Sequence, residues 1–291
     1  MNLRAPIFVE GEETMIGAAI IRALRRAGFE KLVPDLNQNP EYVFVTSGAS
    51  GGILANQKYP ADLCLSNLRT ATEILPEALR RGVRKLLYLG SSCIYPKRCP
   101  QPMGTDALMS GELEETSEAY AIAKLAGIKL CQAYRRQYRA PFITAIPADV
   151  FGPGSSFSQD DSHVVPSMMS KMHDAKCRGL DHVVLWGTGS PRREFTYVDD
   201  LAEACLLIMR IYDDDKPINL GSGETTSIRE LADLIRGIVG FAGELRWDTS
   251  RPDGAPVKWL DTRPLRALGW RPRTPLKDGI TATFHWHLQA I

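Results

Sequence analysis

The sequence predicts an α/β fold, with a doubly wound parallel sheet and a smaller α/β lobe towards the C-terminus. Three observations carry this. Short apolar runs bounded by turn residues recur at Pro6-Ile-Phe-Val-Glu10, Tyr42-Val-Phe-Val-Thr46, Lys85-Leu-Leu-Tyr-Leu89 and Phe142-Ile-Thr-Ala-Ile-Pro147. Unbroken runs of this kind read as strands buried on both faces, as in a parallel sheet. Stretches long enough for helices separate most of them, which is the alternation a parallel sheet needs. The 291 residues suffice for one large domain with an added lobe.

Taken in order, the first strand runs into Gly11-Glu-Glu-Thr14-Met-Ile-Gly17 and a helix from Ala18 to Ala27. Strand, glycine turn and helix form the place where backbone N–H groups hold a pyrophosphate, so Gly11, Thr14, Met15, Ile16 and Gly17 are candidate dinucleotide contacts. The outer glycines are present, but Thr14 stands between them and Glu12 and Glu13 precede it. A turn that no longer holds phosphate is the competing reading. Lys31 to Asp35 reads as the second strand and Tyr42 to Thr46 as the third. Only residues 36 to 41 lie between them, too few for the helix of a parallel crossover. The adenosine side of this Rossmann-like half is therefore expected to be abbreviated. An acid about 20 residues beyond the glycines takes the ribose 2′-hydroxyl in such folds, and Asp35 stands near that distance, which favours NAD over NADP.

Residues 48 to 60 read as a loop and Ala61 to Arg81 as a long helix. After the strand that ends at Gly90 come Ser91-Ser92-Cys93 and a polar loop to Ser117. A helix from Ala119 to Arg136 follows, then the strand 142–147. Beyond Gly152 the pattern loosens: a small polar loop (154–162), a helix (164–175), a strand at His182-Val-Val-Leu-Trp186 and a Gly-Thr-Gly turn. Arg193 to Val198 returns to the sheet, and residues 198–212 form a helix. Ser227 with Glu230 is a capping box before a helix over 228–239. Segments at 245–248, 261–269 and 276–288 complete the lobe. The expected division is 1–151 with 194–222 for the nucleotide-binding domain, and 152–193 with 223–291 for the substrate lobe.

Bulk properties narrow the function. Lys and Arg number 35 against 34 Asp and Glu, which leaves no field to gather nucleic acid or anionic lipid. No apolar run reaches the roughly 18 residues of a membrane span, and the N-terminus lacks a signal-peptide pattern. The six cysteines show no C-x-x-C spacing, which suggests neither a zinc site nor a disulfide framework and favours a reduced, cytoplasmic setting. His285 and His287 stand two apart on a helix and point away from each other, so no metal site is expected.

The chemistry concentrates between Leu86 and Lys124. Tyr120 and Lys124 lie four apart on a helix and share a face. An ammonium beside a phenol lowers the phenol's pKa and lets it pass a proton near neutral pH. The hydroxyl of Ser91, at the strand end, can hold the same substrate oxygen.

Several phrases together carry a resemblance: Gly51-Gly-Ile with Tyr59-Pro-Ala-Asp62, Gly90-Ser-Ser-Cys-Ile-Tyr-Pro96, Tyr120-Ala-Ile-Ala-Lys124, Cys131-Gln-Ala-Tyr-Arg-Arg-Gln-Tyr138, Ser162-His-Val164, Trp186-Gly-Thr-Gly-Ser-Pro191, Arg193-Glu-Phe195 and Val198-Asp-Asp-Leu201. In order over nearly the whole chain, they resemble the extended short-chain dehydrogenase/reductases, and within them the GDP-L-fucose synthase group. The resemblance implies a homodimeric enzyme that epimerises and reduces a 4-keto nucleotide-sugar with NAD or NADP. It implies catalytic roles for Ser91, Cys93, Tyr120, Lys124 and His163, with Lys124 and Pro147 beside the cofactor. Cys93 and His163 fall where the group keeps the acid and base that exchange protons next to a ketone. Thiol and imidazole suit that task because both titrate near neutral pH. Ser92, Asp149, His163, Lys171, Trp186, Arg193 and Lys258 would contact the nucleotide-sugar. Lys171 replaces a more usual Arg, which makes a point charge of a bidentate contact. The altered first turn keeps a second activity open: an isomerase or dehydratase with tightly held NAD or no net redox.

Overall fold

The computed structural model describes residues 1–158, 162–251 and 253–290. Its first half runs β1 (Ile7–Glu10), α1 (Met15–Arg26), β2 (Leu32–Val33), β3 (Tyr42–Val45), α2 (Ile53–Lys58), α3 (Pro60–Arg80), β4 (Lys85–Leu89), α4 (Glu118–Tyr138) and β5 (Phe142–Pro147). The second half runs β6 (Asp149–Phe151), α5 (Val164–Cys177), β7 (His182–Trp186), β8 (Arg192–Arg193), β9 (Phe195–Tyr197), α6 (Val198–Ile211), β10 (Ile218–Leu220), β11 (Thr226–Ser227), α7 (Ile228–Val239), β12 (Glu244–Asp248), β13 (Val257–Lys258), α8 (Arg263–Ala267) and α9 (Leu276–Ala290).

Six strands form one sheet in the order β10-β5-β4-β3-β1-β2, and every pairing in it is parallel. Both faces are covered, as an all-parallel sheet requires. Helices α1 and α6 pack together on one side over Ile7, Val9, Leu87 and Ile218; α3 and α4 pack on the other over Val43, Leu86 and Ile146. A separate apolar cluster joins α5, α7 and α9 to β7, with β12 beside β7. The capping box is present, with Ser227 Oγ accepting from the Glu230 N–H and the Glu230 carboxylate accepting from the Ser227 N–H. No helix among the described residues is long and apolar enough to cross a membrane, and the six cysteines are free.

The structure refines one expectation and corrects another. The connection from β2 to the strand at residues 42–45 holds no helix, as expected; it passes β1, so that β3 pairs with β1 on the side opposite β2. A short connection suffices because β2 has only two residues, in register with Ile7 and Phe8, while Tyr42 is also in register with Ile7. At about 3.3 Å per residue the chain has less than 10 Å to recover, and a single 3₁₀ turn at Leu36–Gln38 recovers it. The 48–60 segment is not all loop, since it holds α2. Residues 159–161 of the predicted polar loop lie outside the described residues, as do Pro252 and Ile291 of the predicted lobe.

Candidate active site

Strand β4 delivers its end to α4 at Gly90, where a Cβ would lie 2.8 Å from the Ile128 side chain. Ser91 then caps one 3₁₀ turn, Ser92–Ile94, by accepting the Cys93 N–H at 3.3 Å. Just beyond, the Tyr95 hydroxyl donates to Asn219 Oδ1 at 2.6 Å, tying the turn to β10. These contacts hold Cys93 at the sheet's carboxyl edge, where ligands of open α/β sheets bind. Ser92 is only 6% exposed and offers a substrate little surface.

Tyr120, in the first turn of α4, faces Ser91. Burial pushes its phenol above the ordinary value, Cys93 adds to the rise and the Ser91 contact opposes it. This corrects the expectation that Lys124 lowers it. Lys124 Nζ donates instead to the carbonyls of Ser47 (3.2 Å) and Leu89 (3.3 Å) and lies 5.4 Å over the Tyr88 ring. Burial brings the ammonium down to about 8, against the pull of Glu10.

Facing Cys93 is a cluster of charge drawn from distant segments. Lys258 and Arg193 are register partners of β13 and β8, so two cations stand side by side. Lys258 Nζ donates to Cys93 Sγ at 3.7 Å. Burial pulls the Lys258 pKa down, but Cys93 and Asp149 outweigh it and the net shift is upward. Arg193 donates to the carbonyls of Ala255 (2.7 Å) and Arg192 (2.9 Å). Its pKa is lowered by burial, with Asp149 and Cys93 opposing. His163 stands at the N-cap of α5, its side chain free of capping. It is open to solvent from the cleft while protein surrounds it on the other sides. That burial lowers its pKa, Asp149 opposes and Lys258 assists, so the neutral imidazole is favoured. A cleft of about 500 Å³ reaches His163 from Met15, Ala49, Tyr59, Val150 and Gly154.

Cys93, Tyr120, Ser91, His163, Asp149, Arg193 and Lys258 thus converge. Trp186 and Lys171 lie farther out. The indole is 41% exposed, with Lys171 Nζ 5.7 Å and the Arg251 guanidinium 4.9 Å from the ring. Burial lowers the Lys171 pKa. An exposed flat ring flanked by cations suits a nucleotide base and its phosphates. Asp253, absent from the sequence-based set, accepts from the Thr188 N–H (2.7 Å) and hydroxyl (2.8 Å) and so fixes the turn after Trp186.

Glu194 was missed as well. It is 2% exposed and accepts the Gly223 N–H at 2.6 Å and the Leu260 N–H at 2.7 Å, binding three segments behind the site. Burial raises its pKa from 4.5 to about 7, in spite of those two bonds. The folded chain therefore keeps this proton where the unfolded chain has released it. The stability this confers is complete below about pH 4.5 and lost as pH rises to about 7. Relative to Glu194→Gln, the wild type is expected to lose about 3 kcal/mol across that window. Urea titrations of both proteins at about pH 5 and pH 8 measure the difference; equal shifts in the two would contradict it.

The predicted cofactor turn is built, but from its own bonds. Thr14 Oγ1 caps α1 by accepting the Gly17 N–H at 3.0 Å and itself donates to the Gly11 carbonyl at 2.7 Å. Met15 lies against Gly154 and Ser155, whose hydroxyl is 3.1 Å from the Met15 sulfur. Glu10, which the motif reading passed over, accepts from the N–H and hydroxyl of Ser47. Asp35 accepts the Asn37 N–H at 2.8 Å, capping the 3₁₀ turn after β2. Pro147 ends β5 and is buried. With three carboxylates at the turn, Glu10, Glu12 and Glu13, these residues do not fit a dinucleotide diphosphate.

A model of the NAD dependent epimerase/dehydratase family matches residues 34–221. The chain is 45% identical over 304 aligned residues to putative GDP-L-fucose synthase 2 of Arabidopsis thaliana, covering 99% of this chain and 93% of that protein. It is 39% identical over 309 residues to GDP-L-fucose synthase of Escherichia coli K12, covering 97% and 96%. Both alignments exceed the 291 residues of this chain, so each relative carries residues that it lacks. Among solved structures, MlghC, the GDP-mannoheptose C4 reductase from Campylobacter jejuni with NADP bound, matches at a TM-score of 0.88 with 30% identity over 99% of each chain.

Proposed function

This chain belongs to the NAD dependent epimerase/dehydratase family, and from that premise we propose that it acts on a keto nucleotide-sugar with the proton chemistry of GDP-L-fucose synthase. Its class is that of the nucleotide-sugar epimerase/reductases. The observation that carries the reading is that Cys93 and His163 share the same charged neighbours: Lys258, whose Nζ lies 3.7 Å from the thiol sulfur, and Asp149 both act on the imidazole. A ketone acidifies the hydrogens on its neighbouring carbons. One group of the pair removes such a proton and the other returns one to the opposite face, which inverts the carbon. Ser91 and Tyr120 hold the ketone oxygen while it carries the negative charge of the enolate. Lys258 supplies a counter-charge when the sulfur is negative, and Asp149 does the same when the imidazole is protonated. Trp186, Lys171 and Arg193 receive the base and diphosphate.

Finer parts of the reading follow from the same residues. Glu12, Glu13 and Asp35 offer the 2′-phosphate of NADP no cation, so of the two dinucleotides NADP(H) is the worse match to this turn. The division into 1–151 with 194–222 and 152–193 with 223–291 assigns proton transfer largely to the first unit and nucleotide recognition to the second. A homodimer is in keeping with the exposed Leu65 on α3 and Ile122 on α4, the pair of helices packed together on one side of the sheet. The free cysteines suit the cytoplasm.

The test is incubation with GDP-4-keto-6-deoxymannose in deuterated water, with NADH and NADPH supplied. Deuterium is expected on both carbons beside the ketone. No incorporation under conditions in which the Escherichia coli relative labels the sugar would refute the reading.

A further inference from the structure

We propose that this chain inverts the carbons of its keto-sugar without a nicotinamide coenzyme, because a threonine cap and carboxylates stand where the coenzyme's diphosphate would lie and the wall for its adenosine is cut short. The proposal rests on the functional reading above.

Three observations carry it. In a doubly wound sheet the diphosphate lies on free N–H groups at the head of the first helix, where the helix dipole favours an anion. Here the Gly17 N–H is taken by Thr14 Oγ1 at 3.0 Å, and Thr14 is locked in place by its bond to the Gly11 carbonyl at 2.7 Å. A threonine side chain caps the helix where a phosphate oxygen would otherwise do so.

The second observation is charge. Glu10, Glu12 and Glu13 fall within four successive residues around Gly11. Glu10 is fixed by the Ser47 N–H and hydroxyl across the carboxyl ends of β1 and β3, in the crevice a dinucleotide would cross. Beyond it a hollow of about 340 Å³ against α3 adds Asp62 and Glu73, with Arg69 as its one cation. Lys124, which faces Glu10, is committed to the Ser47 and Leu89 carbonyls. A diphosphate brought to this side of the turn meets the carboxylates of Glu10, Asp62 and Glu73.

The third is the missing wall. Strand β2 is the sheet's edge among the described residues, and the chain turns back at Leu36–Gln38. Asp35, the residue placed to grip an adenosine ribose, caps that turn instead. Asn37 and Asn39 of the same turn accept from Arg81 at 2.6 and 3.1 Å, closing it onto the end of α3.

Epimerisation needs none of this apparatus. The C–H bond breaks, its electron pair moves to the ketone oxygen as an enolate, and the same pair forms the new C–H bond when a proton arrives on the other face. No oxidant or reductant enters. The groups that move protons lie on the β4 edge, α4 and the start of α5, and none of them belongs to the 11–17 turn. The product leaves as a ketone, for consumption by a separate NAD(P)H-dependent reductase.

The experiment strips the full-length protein of nucleotide on charcoal, titrates it calorimetrically with NADH and with NADPH to about 1 mM, and follows deuterium exchange into GDP-4-keto-6-deoxymannose with and without each coenzyme. Expected are no saturable heat and an exchange rate that the coenzymes change by less than about twofold. Micromolar binding of either, or exchange that rises about tenfold or more with coenzyme, overturns the proposal and leaves the functional reading intact. Absence of exchange under every condition overturns both. Glu10→Ala combined with Glu13→Arg and Thr14→Gly is expected to gain at least about tenfold in NADPH affinity; a folded triple variant with unchanged affinity would show that the turn is not what refuses the dinucleotide.

Discussion

Cys93→Ser and His163→Gln are each expected to lower deuterium exchange beside the ketone by about 10²–10⁴-fold, the range general acid–base groups contribute. Serine keeps the size of Cys93 and glutamine keeps much of the reach of His163, but neither titrates near neutral pH. Binding of the nucleotide-sugar is expected to stay within a few fold, because Trp186, Lys171 and Arg193 are untouched. The two substitutions are not expected to be equivalent. A proton removed by one group is returned by the other, so each variant leaves the chain with half of an inversion. Mass spectrometry of recovered sugar, read carbon by carbon, separates slowed removal from slowed return. If both variants exchange at the wild-type rate, the pair is structural and the proton-transfer reading fails. The pH dependence adds a check. Burial lowers the His163 pKa, so a step that needs the neutral ring extends its plateau to lower pH than an ordinary histidine allows.

Much of this site was legible in the sequence because it rests on local spacing. Ser91 and Cys93 follow a buried strand directly, and Tyr120 and Lys124 are four apart on one helix. What spacing does not carry is which distant segments meet. The Lys258–Cys93 contact joins residues 165 apart in sequence and depends on β13 pairing with β8. Glu10 drew no notice as the last residue of a strand, since its meaning comes from Ser47, which β3 brings beside it, and from Lys124. The same holds for Lys124 itself. Its helical offset from Tyr120 suggested an ammonium against the phenol, yet the side chain reaches carbonyls of Ser47 and Leu89. The short 36–41 connection was correctly read as an abbreviation, but its consequence for strand order required the register of β2. A two-residue strand lets the chain return on the far side of β1 without a helix. Glu194 was illegible for a related reason, because its acceptors' donors come from Gly223 and Leu260.

Tyr120→Phe is expected to reduce α-proton exchange by about 10²–10³-fold, the loss that follows removal of one preorganised donor to an oxyanion. As the enolate forms, charge gathers on the ketone oxygen, and the Tyr120 hydroxyl and Ser91 are the neutral donors beside it. Burial raises the Tyr120 pKa, with Cys93 adding to the rise. The phenol therefore stays protonated and able to donate at neutral pH. The substitution removes one oxygen from a residue 8% exposed and leaves its ring packed. The structural loss is at most the contact with Ser91, on the order of 1 kcal/mol, so the fold is expected to persist by circular dichroism and thermal melting. The effect should fall on the rate, with nucleotide-sugar affinity little changed, because the hydroxyl acts on charge that exists only after the proton has left. Ser91→Ala is expected to cost less, and the double variant less than the product of the two, since each hydroxyl orients the other. Retention of most of the wild-type exchange rate by Tyr120→Phe would remove this residue from the proton chemistry and leave the enolate oxygen without its principal donor.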